Sequence, residues 1–365
     1  MSARSAVLAA VWLAAAVVAC GHAAPFAPGV YTPAGPLGTG AALRLTYNPG
    51  TDLAPLWLPG GAGAGGILYA AERVDRADHD RCFAILPPVG GAIERYVCRT
   101  SAADDSVDVF ENAALAADGR IAYVRVSSHR LPGRPISPDV QALVVATLAD
   151  PNDVRVLRPL AYTAPPPSGR IHQAISHIGW VAPSRLVYLG ERVTYPQACS
   201  GCPRDTVRTG IEIVTLDFAA ASPVLSVVPG TDSASSVAVG TTGDTIYFTR
   251  NGDSRVYRLG FSSGQTDTVH DFGVAGIARD VGFANGRLVA VVGGDVTYTA
   301  DTVLGASQVD HGGELHVVTL ATGAETVLGD SSSRFRRPAL SSDGTRLATE
   351  LWANGRADLW LLDVP

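Results

Sequence analysis

One pattern recurs six times along the chain and restricts its fold more than any other feature. A turn rich in Gly, Asn, Asp or Pro is followed at once by a run of Val, Ile, Leu and Tyr. The copies are AGGILYAAERV (64–74), ADGRIAYVRV (117–126), APSRLVYLGERV (182–193), TGDTIYFTRNG (242–252), ANGRLVAVVGG (284–294) and SDGTRLATELWANG (342–355). A second apolar run follows each: CFAILPP, ALVVATLA, IEIVTLDF, RVYRLGF, ELHVVTLAT and DLWLLDV. Turn residues between such runs are the signature of β-hairpins. No stretch has convincing helical periodicity. Four antiparallel strands repeated six times predict an all-β chain, a six-bladed β-propeller over 42–365. The sequence stops after the third strand of the sixth repeat, while Ala42-Leu43-Arg44-Leu45-Thr46-Tyr47 precedes the first repeat and has no place in it. That segment is expected to supply the missing outer strand and close the ring, which would remove an exposed edge.

The last repeat carries a specific resemblance. Arg337-Pro338-Ala339-Leu340-Ser341-Ser342-Asp343-Gly344, followed by RLATELWANGRADLWLLDV, resembles the TolB-type propeller repeat. That repeat runs P-x-x-S-x-D-G, a strand, an Asp/Asn-Gly turn, then D-[IL]-[WY]-x-[LM]-D. NAALAADGRIAYV and VAVGTTGDTIYF match it in part. The resemblance implies the architecture; the divergent repeats do not extend it to a shared partner.

The N-terminus reads as an address. Arg4 gives a short positive region, and Ala6 to Ala19 form an apolar run of signal-peptide length. The run ends Val17-Val18-Ala19-Cys20-Gly21, which resembles the bacterial lipobox. The resemblance implies removal of residues 1–19, acylation of Cys20, and a membrane anchor in the cell envelope facing the periplasm or the exterior. Gly21 favours the outer membrane by analogy. Residues 20–41, rich in Pro, Gly and Ala, read as a linker.

Four further cysteines form an even set in a compartment where disulfides persist. Cys82 and Cys98 flank two strand-like segments joined by a Gly-containing turn and are expected to pair. Cys199 and Cys202 form a CxxC in the Pro-flanked stretch YPQACSGCPRD, where a loop disulfide is the expectation. A redox pair wants its first Cys at a helix N-terminus. A zinc site wants a second CxxC.

Composition narrows the function classes. The 365 residues are 47% hydrophobic and 17% charged, which is enough apolar material for a core. The formal charge of −6 argues against a nucleic-acid partner. The sequence contains no Lys, so all 28 basic residues are Arg, each a planar fork suited to carboxylates. Gly260-Phe261-Ser262-Ser263-Gly264 matches G-x-S-x-G but sits in a hairpin turn, without the strand-to-helix elbow that chemistry requires. Asp75, Asp78 and Asp80 lack the Gly and distal Glu of a calcium loop.

Two regions remain as candidate sites. Long loops are expected on one face at 73–81, 127–140, 194–210 and 295–313, bearing His129, Arg130, Tyr195, Tyr298, Asp310 and His311. The starts of the innermost strands would line a central channel with Glu111, Asn112, His172, Asp280 and Arg337, beside Arg279 and Arg336. The leading expectation is a non-catalytic, lipid-anchored module that binds an envelope protein or a small ligand, with no cofactor and no metal. The alternative is a metal-dependent hydrolase of lactonase type, in which Glu111, Asn112 and Asp280 would converge on one cation.

Overall fold

Uninterrupted apolar runs suit strands that are covered on both faces, and the chain forms them throughout. The structure, a computed structural model, describes residues 42–47, 49–59, 65–73, 81–98, 106–129, 137–150, 153–159, 170–194, 207–293, 296–301, 305–310, 312–330, 332–353 and 355–365. Residues 1–19, residues 20–41 with Cys20, and Arg130, Tyr195, Cys199, Cys202 and His311 lie outside them.

A short strand β1 (Ala42–Arg44) comes first. Unit I is β2 (Asp52–Trp57), β3 (Ile67–Glu72), β4 (Arg81–Leu86) and β5 (Arg95–Val97). Unit II is β6 (Ser106–Leu115), β7 (Arg120–His129), β8 (Ser137–Thr147) and β9 (Arg155–Pro159). Unit III is β10 (Arg170–Ala182), β11 (Arg185–Thr194), β12 (Val207–Asp217) and β13 (Val224–Val227). Unit IV is β14 (Ala234–Val239), β15 (Thr245–Arg250), β16 (Arg255–Gly260) and β17 (Thr266–Asp271). Unit V is β18 (Ala278–Ala284) and β19 (Arg287–Val292), an inserted hairpin β20 (Val296–Asp301) and β21 (Gly305–Asp310), then β22 (Glu314–Thr319) and β23 (Ala324–Leu328). Unit VI is β24 (Phe335–Leu340), β25 (Arg346–Ala353) and β26 (Arg356–Asp363). β1 lies antiparallel on β26, with Ala42 opposite Leu362.

Units III, IV, V and VI with β1 are separate four-stranded antiparallel sheets. Six separate blades are expected from the sequence. Instead, units I and II share one eight-stranded sheet, because Arg81 of β4 pairs in parallel with Val109 of β6. Within that sheet each unit keeps its own antiparallel ladder. The architecture is an all-β propeller of antiparallel strands.

Burial follows the sequence pattern. β3 and β19 are buried along almost their whole length, whereas the outer strands β13 and β17 are mostly exposed. Six apolar clusters fill the gaps between units. Phe83, Phe110 and Tyr123 join I to II, Leu143 and Leu186 join II to III, and Leu189 and Phe248 join III to IV. Val256 and Ala290 join IV to V, Leu315 and Trp360 join V to VI, and Tyr69 and Leu359 join I to VI.

The turn chemistry has a local cause. In the last repeat the Asp343 carboxylate accepts from the Ser341 hydroxyl at 2.6 Å and from the Thr345 N–H at 3.0 Å, and the Arg346 N–H donates to Ser341 Oγ at 2.9 Å. These bonds pull the Asp343 carboxyl down to about 2 and pin the hairpin. The S-x-D-G signature is therefore a turn device. Gly243 in unit IV has φ 76°, and a Cβ there would strike the Val181 carbonyl of unit III. Only Gly lets the two units approach so closely.

The loop face departs from expectation. His129 ends β7, Tyr298 lies on β20 and Asp310 ends β21, so these residues stand on strands. The hairpin ladders simply run on, with His129 opposite Ser137 and Tyr298 opposite Gln308.

Cys82 and Cys98 form a disulfide across the β4–β5 pair, at a sequence separation of 16. Closing a loop of that size stabilises a fold by about 3 kcal/mol. Cys82→Ala/Cys98→Ala is expected to lower unfolding stability by about that amount in urea titrations, with unit I loosening first by hydrogen exchange.

Candidate functional site

The innermost strand of each unit, β2, β6, β10, β14, β18 and β24, packs against its counterparts in neighbouring units, and each is interrupted. The ladder to the second strand skips between Leu53 and Leu56, Glu111 and Ala114, Ser176 and Gly179, Arg279 and Gly282, and Arg336 and Ala339. Unit IV has a smaller skip between Ala234 and Ser236. These are β-bulges, which bend a strand and re-aim a side chain. In five of them the first unpaired residue has left-handed backbone geometry: Ala54 (φ 52°), Asn112 (49°), His177 (50°), Asp280 (46°) and Arg337 (45°). None is Gly, and each such residue costs about 1–2 kcal/mol. All five line one cavity of about 410 Å³.

A bulge leaves backbone N–H groups without ladder partners, and a buried N–H must find another acceptor. Neighbouring units supply it. Ala54 N–H donates to Glu350 Oε1 of unit VI at 2.7 Å. Arg337 N–H donates to Asp280 Oδ2 of unit V at 3.1 Å. Val281 N–H donates to Ser236 Oγ of unit IV at 3.0 Å. Side chains add further links: Asn112 Nδ2 donates to the Ile175 carbonyl at 2.9 Å, and His177 Nε2 lies 3.1 Å from Asp280 Oδ1. With Asp280 ionised, Nε2 carries the hydrogen of that bond, and Nδ1 lies 3.1 Å from the Ser176 hydroxyl oxygen.

Asp280 is the electrostatic centre. Burial alone would raise its carboxyl. The hydrogen bond from His177, with the charges of His177, Arg336 and Arg337, outweighs burial and holds it well below the usual carboxylate range. Ser176, His177 and Asp280 have the connectivity of a hydrolytic relay. Ser176 is not among the cavity's lining residues, however, so its hydroxyl serves to orient the imidazole.

The other expected channel residues are sorted by the same geometry. Glu111 is drawn aside by Arg81, with Oε1 2.8 Å from Nη1, and lines a separate space of about 60 Å³. Asn112 and Arg337 border both spaces. His172 sits on β10 opposite Arg192. Arg279 turns its guanidinium to the carbonyls of Gly293 and Gly312. Glu111 and Asp280 line different spaces: Glu111 is tied to Arg81, and both Asp280 oxygens accept from protein donors. Among the described residues, no group of three or more His, Cys, Asp or Glu side chains is disposed to hold a metal.

The missed residue is His177. It stands eight positions ahead of Arg185, the first residue of β11, as Asn112 stands eight ahead of Arg120. Counting back from the hairpin would have found it. The apolar end of the cavity was also unread: Trp57, Phe283 and Leu340 line it, with Trp57 Nε1 bonded to the Ala339 carbonyl at 2.8 Å.

No protein-family model and no curated protein matches the sequence. Solved structures do match. A gluconolactonase from Xanthomonas campestris superposes with a TM-score of 0.54 at 14% identity, over 90% of this chain and 91% of that one. The fold is that of a β-propeller. Two TolB structures are also similar. The one from Agrobacterium tumefaciens has a TM-score of 0.48 at 14% identity, over 87% of this chain and 92% of its own. The one from Acinetobacter baumannii has 0.47 at 11%, over 86% and 64%. At 14% identity the likeness to the gluconolactonase speaks for architecture and not for chemistry.

Removing the Asp280 charge should destabilise the fold by about 3–5 kcal/mol at neutral pH, since it breaks a buried, paired group. The folded carboxyl lies below its unfolded value of about 3.9, so its contribution is complete above that pH and is lost as pH falls toward the folded value. Urea unfolding of Asp280→Asn is therefore expected to trail the native chain at pH 7 and to close the gap as pH drops below about 4.

Proposed function

We propose that this chain is a six-bladed propeller, closed by β1, held in the cell envelope by a lipid on Cys20, and that it binds a small ligand in its channel without transforming it. Six blades are supported by the separate ladders of units I and II and by the six inter-unit clusters, one of which joins I to VI. Closure is supported by β1 on β26 and by the Leu45 N–H bonded to the Leu359 carbonyl. The anchor is supported by Val17-Val18-Ala19-Cys20 ahead of a Pro/Gly/Ala-rich linker, and the Cys82–Cys98 bond suits an oxidising compartment.

One observation carries the binding reading. The acids at the channel are occupied: Asp280 by His177 and the Arg337 N–H, Glu350 by the Ala54 N–H and Trp352 Nε1, and Glu111 by Arg81. A lactonase-type centre needs carboxylate oxygens open to a cation. Here they cross-link the units and leave a chamber with apolar walls and a few fixed polar groups, the form of a small-molecule site.

Elemental analysis of the purified full-length chain, beside Asp280→Ala, tests this. The expected result is no stoichiometric divalent ion in either protein. A stoichiometric ion that disappears in Asp280→Ala would overturn the reading in favour of the metal-dependent hydrolase.

A further inference from the structure

We infer that the channel's ligand is a small carboxylate with an apolar body, its head taken by the Arg337 guanidinium. The inference rests on the ligand-binding reading above and names the chemistry of that ligand.

Arg337 differs from the other arginines around the channel. Arg81 is paired to Glu111 at 2.8 Å, Arg279 bonds two backbone carbonyls, and Arg336 lies over the Trp352 ring, 5.1 Å from its centroid. The Arg337 side chain is 30% exposed, and its ion pair with Glu350 is long, Nε to Oε1 3.8 Å. That oxygen already accepts the Ala54 N–H. Among the described residues, no hydrogen bond occupies the Arg337 guanidinium, although the residue lines the cavity. A guanidinium is always charged, and its rigid fork matches the two oxygens of a carboxylate. Of the negative groups around it, Asp280 and Glu350 each direct both oxygens at protein donors, and Glu111, which borders the smaller space with Arg337, is paired to Arg81, so they compete weakly for that fork.

The apolar half follows from strand direction. Arg337 and Asp280 lie at the bulge level, while Leu340 and Phe283 lie three residues further along β24 and β18, a rise of about 10 Å. Trp57 stands three residues beyond Ala54 on β2. The cavity thus grades from a charged level to an apolar one. A carboxylate whose apolar body is no longer than about 10 Å would lie along the axis, with its ring or chain against Trp57, Phe283 and Leu340.

The test is titration of the full-length chain with 3-phenylpropionate and, separately, with 3-phenylpropan-1-ol, read by calorimetry and by the fluorescence change that Trp57→Phe should abolish. The acid is expected to bind at least tenfold more tightly than the alcohol. Arg337→Gln should weaken the acid by at least tenfold and leave the alcohol unchanged. Arg337→Lys, which keeps the charge near Asp280 and Glu350, should fold and bind the acid with intermediate strength. Phe283→Ala should weaken both ligands. Equal binding of acid and alcohol, both sensitive to Phe283→Ala, would overturn the carboxylate assignment and leave the ligand-binding reading intact. Binding of neither probe by the native chain would also overturn the assignment as stated. Binding indifferent to every one of these variants would overturn both.

Discussion

The bulge in each innermost strand is the constraint on which the rest of the molecule turns. A regular strand would send alternate side chains into the two neighbouring units and leave nothing aimed at the axis. In five units the bulge places one residue with left-handed geometry at the channel, and the strain is concentrated at the same level each time. Strain of this kind persists only where the surroundings over-determine it. Here the surroundings are groups from other units, because the N–H groups released by the bulges are taken by Glu350, Asp280 and Ser236. The device that opens the channel therefore also ties the units together.

The same economy decides the chemistry. A carboxylate that accepts two hydrogen bonds from protein has little left for a cation or a substrate proton, and Asp280 and Glu350 are both in that state. His177 is likewise engaged at both nitrogens. The rim of units IV and V shows a related arrangement. Glu325 bridges His270 Nε2 at 2.8 Å and His316 Nδ1 at 2.6 Å, each carboxylate oxygen serving one imidazole. Burial would raise Glu325, but its bonds to the two imidazoles hold it down. In both places, titratable groups act as struts between units. Arg337 stands apart: among the described residues no hydrogen bond engages its guanidinium, and its ion pair with Glu350 is long, Nε to Oε1 3.8 Å.

The strands were legible because each obeys a local rule. The Asp118-Gly119, Asn285-Gly286 and Asp343-Gly344 turns supply the left-handed residues that tight hairpins need, and the apolar runs after them became β7, β19 and β25. The Cys82–Cys98 pair was legible for the same reason, since the two residues flank neighbouring strands. The channel was legible only in part. Asn112, Asp280 and Arg337 could be chosen because they are polar residues in apolar strands. Ala54 could not, because an alanine carries no sign that its backbone is turned. His177 was passed over for His172, five residues earlier, because composition does not reveal where a ladder skips. The fate of Glu111 depended on Arg81, thirty residues away and on another unit. Contacts between units are set by how the sheets stack, and no local pattern encodes them.

Hydrogen exchange of individual backbone amides tests the central claim most directly. Ala54, Val281 and Arg337 sit in bulges where the strand ladder offers their N–H groups no partner. If Glu350, Ser236 and Asp280 hold them, these three amides will exchange as slowly as the ladder amides of Leu288 and Leu347 in the adjoining strands. Exchange at the rate of exposed turn amides such as Gly252 would contradict the account. It would mean that the bulges are open and that the channel's acids are free for other chemistry.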